Sequence, residues 1–385
     1  MSIAGFQSIT TFLVFRQLAN NNLVCIGDVF TLRMIRRNKE SDGNMTKSLS
    51  SPTTLLLSTS DLKKLLDMND VLTAVENAFR LRGLGRVQMP AKMYVFFEKY
   101  NGDIRCMPSY IEDLSIAAVK IVNVHPDNRM NHNLRTVMAT LVMIDPETGT
   151  PIAIMDGSYV TDMRTGAASG VASKYLARKD SRNLGIIGAG VQSRTQLLAI
   201  LSTFGKLDEV RIYDIAPDAS KTFAEEATKT YSNRIQSVKA VSDPKDAVVG
   251  MDIIVTCTPT RKPIVKDSWI SKGQHINCIG ADAPGKQEIE GAILKKAKVV
   301  IDDWEQASHS GGINVPIKQG IFDQKHIYAL IGDIVAGKTP GRMSHDDITI
   351  FCSTGLAIQD AVTGKLAYDA AKKKKIGHDF QMIQA

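Results

Sequence analysis

The sequence predicts an α/β protein in two parts, a doubly wound parallel sheet and an α+β unit assembled from segments on either side of it. Three observations carry this prediction. Between residues 183 and 302, short apolar runs alternate with helical patterns, as a parallel sheet with crossover helices requires. Between residues 55 and 162, one amphipathic helical stretch is followed by a series of strand-like segments. The chain of 385 residues is also longer than a single core ordinarily supports.

Residues 1–47 stand apart. TTFLVF is apolar but short, no basic stretch precedes it, and RMIRRNKESDGN is polar, so we expect a disordered extension or an early start codon and no targeting signal. SDLKKLLDMNDVLTAVENAFRLRGLG then predicts a helix, with Val71, Val75 and Phe79 at i, i+4, i+8 and glycines at its end. KMYVFFEK, GDIRCMP, AAVKIVNV, TVMATLVMID and PIAIMDG predict antiparallel strands, with Asn101-Gly102 and Glu147-Thr148-Gly149 as turns. DMRTGAAS opens a helix of small residues at Arg164.

NLGIIGAGVQS, residues 183–193, runs from an apolar strand through a glycine turn into a helix. Gly188 and Gly190 leave room for backbone to approach a pyrophosphate, and the helix beginning near Val191 aims free amides and its positive dipole end at that anion. The loop residues Gly188, Ala189, Gly190, Val191, Gln192 and Ser193 are the expected cofactor cradle, with Ser193 where the third glycine of the fingerprint usually stands. EVRIYD closes the next strand in Asp214, and a carboxylate there can bond both ribose hydroxyls while repelling a 2′-phosphate. The expected cofactor is therefore NAD on a Rossmann-type sheet.

SKTFAEEATKTY, QSVKAV, DIIVTC, HINCIG, EIEGAILKKA and KVVIDD supply the remaining helices and strands of that sheet. The last segments, HIYALIGDIVAG and LAIQDAVTGKLAYDAAKK around the strand ITIFCST, have no evident place in it and are expected to fold back on the first unit. The expected domains are thus 48–180 with 321–385, binding substrate and forming a dimer, and 181–320, binding NAD.

With 44% apolar and 23% charged residues, the composition is that of an ordinary globular protein. The net charge of +7 is scattered apart from Lys372 to Lys375, and no nucleic-acid motif accompanies it. The five cysteines have no CxxC spacing and no His/Asp/Glu spacing suits a metal, which points to reduced thiols, a cytoplasmic protein and no metal site. No apolar run reaches the roughly 18 residues of a membrane helix.

Three charged residues interrupt apolar patterns. Lys120 breaks the strand AAVKIVNV, Arg105 alternates with Ile104 and Cys106 in GDIRCMP, and Asp282 follows the strand HINCIG, at a carboxyl end where parallel sheets bind ligands. A bland reading stands beside each: a wet sheet face for Lys120 and Arg105, a turn or cap for Asp282. Arg164 has the fork geometry for a carboxylate or phosphate. His125, before a proline, and His275, at a strand start, read as structural.

With these segments placed, the sequence resembles the ornithine cyclodeaminase/mu-crystallin family, and within it the alanine dehydrogenase branch. QMPAK (88–92), GDIRCMP (102–108), VKIVNVHPDN (119–128), MRTGAASGVASKYLAR (163–178), GIIGAGVQS (185–193), HINCIGADAPGKQE (275–288), INVPI (313–317) and STGLAIQD (353–360) carry the resemblance. It implies a homodimer in which Lys120 is the active-site lysine, Asp282 the catalytic aspartate, and Arg164 a substrate-binding arginine near the nicotinamide. Lys92 and Arg105 stand where ornithine cyclodeaminases have arginine and glutamate, and are expected to hold a substrate carboxylate. No acid that would balance Arg105 against a distal ammonium is evident in the sequence, which disfavours ornithine. The implied reaction is NAD-dependent oxidative deamination of a small L-amino acid, L-alanine first. Ornithine cyclodeamination with recycled NAD, ketimine reduction and a non-enzymatic nucleotide-binding role are the alternatives.

Overall fold

The computed structural model describes residues 51–384, so the expectations for residues 1–47 lie outside it. The chain enters with strand β1 (Thr54–Leu57), helix α1 (Thr59–Leu65) and helix α2 (Met68–Gly83). The one helix expected here is two. Leu66 leaves α1 in extended backbone, and Asp67 starts α2 by accepting from the Asn69 amide. The apolar spacing continues across the break, so the sequence pattern does not reveal it.

Strands β2 (Val87–Gln88), β3 (Met93–Phe97), β4 (Gly102–Ile111) and β5 (Ile116–Val124) follow, then the short helix α3 (Asn128–His132) and strands β6 (Val137–Ile144) and β7 (Pro151–Asp156). From β3 through β7 the neighbours are antiparallel, as expected, while β1 joins β7 in parallel. Helix α4 (Gly157–Leu176) comes next, and almost all of its small side chains are buried. Such a helix can be approached from every side. It reaches the first sheet through the core around Leu141 and Met143, and the second through Ser173, whose hydroxyl accepts from Asn277 Nδ2 at 2.9 Å. Arg164 does not open this helix as expected but lies two turns into it, because Asp156 caps it seven residues earlier than the arginine suggests.

The second sheet contains β8 (Asn183–Ile187), β9 (Leu207–Tyr213), β10 (Ile235–Ala240), β11 (Ile253–Thr256), β12 (His275–Cys278), β13 (Lys298–Ile301), β14 (Ile327–Leu330) and β15 (Thr349–Cys352). Helices α5 (Val191–Phe204), α6 (Pro217–Tyr231), α7 (Gly291–Lys296), α8 (Trp304–Ser310), α9 (Asn314–Lys318) and α10 (Ile331–Val335) connect them. The strand order is β10-β9-β8-β11-β12-β15-β13-β14, every pairing is parallel, and β11, β12 and β15 are buried throughout. The order reverses between β8 and β11, the switch point where ligands of such sheets bind.

One expectation fails here. ITIFC is β15 and lies between β12 and β13, and β14 is the edge strand, so residues 327–352 join the second sheet and not the first unit. A late strand inserted between two earlier ones breaks the order in which the chain is read, and four residues leave little signal. Only helix α11 (Ala357–Lys374) and strand β16 (His378–Phe380) return, β16 pairing antiparallel with β1. No helix among the described residues is long and apolar enough to cross a membrane.

Candidate active site

Strand alternation places Arg105 and Met107 of β4 on one face with Lys120 and Val122 of β5, since Arg105 pairs with Val122 and Met107 with Lys120. That face is covered by α4 and α11. Arg105 is therefore 4% exposed and Lys120 1%, which overturns the wet-face reading for both.

Two charge clusters occupy this buried face. In the first, Lys120 Nζ stands 2.7 Å from Asp360 Oδ2 and 3.3 Å from Thr161 Oγ1. Arg164 Nε reaches the other oxygen of Asp360 at 3.0 Å, and its Nη1 donates to Gln359 Oε1 at 3.0 Å. One carboxylate thus serves two cations. Burial, together with the Arg164 charge, pulls the Lys120 amine down to about 7, against the opposing pull of Asp360.

In the second cluster, Arg105 forks onto Asp103 through Nε at 2.8 Å and Nη2 at 2.9 Å. Its Nη1 donates to Asp282 Oδ2 at 3.1 Å, and the guanidinium lies 5.3 Å from the Tyr94 ring centroid. Lys286 bonds the other oxygen of Asp282. Burial alone would raise the Asp282 carboxyl, but Lys286 and Arg105 hold it well below the usual carboxylate range. The expectation that no acid balances Arg105 was therefore wrong. Asp103, two residues away on the same strand face, and Asp282 from the other sheet both do so, and the charge argument against a distal ammonium is weaker for it.

Lys92 extends towards the same region, donating to the carbonyl of Thr354. Its amine is drawn down to about 8 by burial, and also by Arg105 and Arg164, while Asp302 and Asp282 oppose the drop. The expected residues Lys92, Arg105, Lys120, Arg164 and Asp282 thus come together at the junction of the two sheets. Beside them, Met107, Val122 and Ala357 form a small buried apolar cluster, with Met89, Val137 and Ala139 packed against it.

The glycine turn has the shape of a phosphate cradle. Gly188 has φ +105, and a Cβ there would lie 2.8 Å from the Cys257 carbonyl oxygen. Gly190 starts α5 with no side chain capping the helix, which leaves its first amides free for an anion. Asp214 lies at the tip of β9, where Oδ2 accepts from the Ala189 amide at 2.7 Å and Oδ1 from Ala216 at 2.9 Å. Ser193 is fully buried and its hydroxyl donates to the Gly190 carbonyl at 2.6 Å, so a serine folded back on its own helix is accommodated at the third-glycine position. Val191 is exposed, and Gln192 reaches Asp162 at 3.4 Å. This loop, these amides and this acid fit a dinucleotide.

Four acids escaped the sequence reading: Asp103, Asp360, Asp302 and Glu288. Glu288 is buried and ties together the loops after β11 and β12, accepting from the Thr258 and Gly280 amides at 2.7 and 2.8 Å. The signal for Asp360 and Asp302 lay in STGLAIQD and KVVIDD, where an acid follows an apolar run with no surface pattern around it. His275 is structural, as expected: it is buried between Thr349 and Asn277, and burial drives its ring down to about 3, so it stays neutral. His125 packs on Phe97. Among the described residues no cluster of His, Cys, Asp or Glu is arranged to hold a metal.

The pattern of the ornithine cyclodeaminase/mu-crystallin family matches residues 53–375. Alanine dehydrogenase of Archaeoglobus fulgidus is 46% identical over 331 residues, which are 86% of this chain and 99% of that protein. Among solved structures, an archaeal alanine dehydrogenase dimer with bound NAD superposes with a TM-score of 0.82 at 44% identity, over 86% of this chain and all of that one. Thermococcus litoralis Delta(1)-pyrroline-2-carboxylate reductase, in complex with NADH and L-proline, does so with a TM-score of 0.81 at 43% identity, over 85% of this chain and all of that one.

Proposed function

The chain belongs to the ornithine cyclodeaminase/mu-crystallin family, and from that premise we propose that it is an NAD-dependent dehydrogenase of a small L-amino acid, interconverting L-alanine and pyruvate. The observation that carries the reading is that helix α4 links the glycine turn to the buried lysine: Gln192 reaches Asp162 at 3.4 Å, and Thr161, one residue back, lies 3.3 Å from Lys120 Nζ. In the oxidative direction L-alanine, NAD+ and water give pyruvate, ammonium, NADH and a proton.

NAD, when bound, supplies the hydride acceptor. Lys92, Arg164 and Arg105 hold the substrate carboxylate; most donors of Arg105 are engaged by acids, so Lys92 and Arg164 have more to offer. Lys120 takes the proton that the substrate ammonium must lose before hydride can leave Cα, a task suited to a group poised near the working pH. Asp282 stays ionised beside Lys286 and Arg105, so it stabilises the cationic imine and orients the attacking water, leaving proton transfer to Lys120. Arg105, Lys120 and Arg164 are buried, which keeps competing water from the lysine end of the site, while the Asp282 side chain is 33% exposed and open to the attacking water.

The two functional halves on this reading are the first sheet with α4 and α11 for substrate, and the second sheet for NAD. A homodimer is supported by apolar side chains left exposed around the first sheet, including Met93, Phe96 and Met130. The free thiols Cys106, Cys257, Cys278 and Cys352 support a cytoplasmic site of action.

A second reading, reduction of a cyclic ketimine acid, is favoured by the apolar cluster of Met107, Val122 and Ala357 beside the cations, because a pyrroline ring has more apolar surface to cover than a methyl group. Rates of NADH consumption with pyruvate plus ammonia, against those with a pyrroline carboxylate, separate the two.

A further inference from the structure

Asp302 is a buried carboxylate for which the proposed chemistry has no use. It follows β13, and because Ile301 pairs with Cys352 it emerges beside the loop that leaves β15. It is 1% exposed and accepts four hydrogen bonds, all from that loop: Ser353 Oγ at 3.2 Å, the Thr354 amide at 2.6 Å, Thr354 Oγ1 at 2.9 Å and the Gly355 amide at 3.0 Å.

The other side of the same three residues faces the substrate cations. Thr354, held by its amide and its hydroxyl, offers its carbonyl to Lys92 Nζ. Gly355 has φ +76, and a Cβ on it would lie 2.4 Å from Arg164 Nη1, so the loop backbone is pressed against that guanidinium. Immediately beyond, the Leu356 amide donates to Gln359 Oε1, the oxygen that also accepts from Arg164. The loop is thus a template with an anion behind it and two cations in front.

We propose that Asp302 is a positioning residue: it fixes the 353–355 loop so that Lys92 and Arg164 are presented to the substrate carboxylate. This rests on the reading of Lys92 and Arg164 as substrate-binding groups. A carboxylate suits the loop because its Oδ2 takes both backbone amides while Oδ1 takes the Thr354 hydroxyl, with the negative charge strengthening each bond. An asparagine can keep its oxygen on the two amides and turn its NH2 to the Thr354 hydroxyl, so what it removes is the charge behind the loop and the charge-assisted strength of the two amide bonds. Asp302 also raises the proton affinity of Lys92, so the same anion helps to keep that amine charged.

The test compares wild type, Asp302→Asn and Thr354→Val in the full chain, after thermal melts establish that each is folded. Asp302→Asn should leave NADH affinity unchanged, raise KM for pyruvate about tenfold or more, and change kcat less, as expected for displaced binding groups. In protein carrying carbon-13 at the lysine ε position, the Lys92 signal, assigned by its loss in Lys92→Arg, should titrate at lower pH than in wild type. A folded Asp302→Asn protein with wild-type KM and an unmoved Lys92 titration overturns the proposal. If Asp302→Asn does not fold, Thr354→Val decides: it deletes one donor, and KM should rise about threefold, while an unchanged KM overturns the proposal. The Lys92 titration needs no turnover. Failure of wild type to use pyruvate would therefore remove the alanine reading and leave the role of Asp302 to be decided by that titration.

Discussion

Lys120 Nζ lies 2.7 Å from Asp360 Oδ2, and each side chain is 1% exposed. Ion pairs this far from water lose much of their hydration, and the attraction repays it only in part. Here the repayment is divided, because Asp360 also serves Arg164 at 3.0 Å. One carboxylate cannot hold two buried cations at their ordinary proton affinities, and the lysine is the one able to yield.

The sign of the pH dependence follows. Lys120 must be neutral to accept a proton from alanine, so kcat/KM for alanine oxidation should rise with pH through about 7 and level off above it, until another group titrates. Lys120→Met should lower the rate by roughly 10²–10⁴-fold at pH 8, and Lys120→Arg, which stays charged, should not restore it. Steady-state kinetics from about pH 5.5 to about pH 9 would check both.

Asp360→Asn removes the charge that raises the Lys120 proton affinity while burial and Arg164 remain. The rise in kcat/KM should therefore move to lower pH. A rise displaced towards higher pH would show that Asp360 does not act on Lys120 in this way.

Asp214 bonds the Ala189 amide at the tip of β9, and on the proposed reading its carboxylate meets the adenosine ribose. Asp214→Ser should weaken NAD binding and relax the discrimination against NADP, measured as the ratio of kcat/KM for the two cofactors. An unchanged ratio would mean that the acid does not touch the ribose.

Gly188→Ala forces a side chain into φ +105 and against the Cys257 carbonyl. The strain should cost about 1–3 kcal/mol, seen as a lowered melting temperature, and NADH fluorescence enhancement should be lost with it. Retained NADH binding would place the pyrophosphate elsewhere.

Much of this is legible in the sequence. Lys120 and Arg105 stand out because charge interrupts an apolar strand, and the glycine turn because strand, loop and helix follow one another locally. Asp360 and Asp302 were not legible. Each is an acid at the start of a helix or the end of a strand, where acids are common for reasons of capping and solvation, and only tertiary packing shows that these two are dry. Arg105 misled for two reasons: Asp282 is 177 residues away in sequence, and Asp103, two residues away on the same strand face, reads as a turn residue beside Gly102. β15 was misassigned because insertion between two earlier strands is a fact of topology and leaves no local pattern.

Following the absorbance of NADH with pyruvate and ammonia present tests the proposed reaction itself. An alanine dehydrogenase should consume NADH stoichiometrically with formation of L-alanine, dependent on Lys120. Release of ammonia and proline from ornithine at catalytic NAD, with no net change in NADH and no reaction of pyruvate, would contradict it.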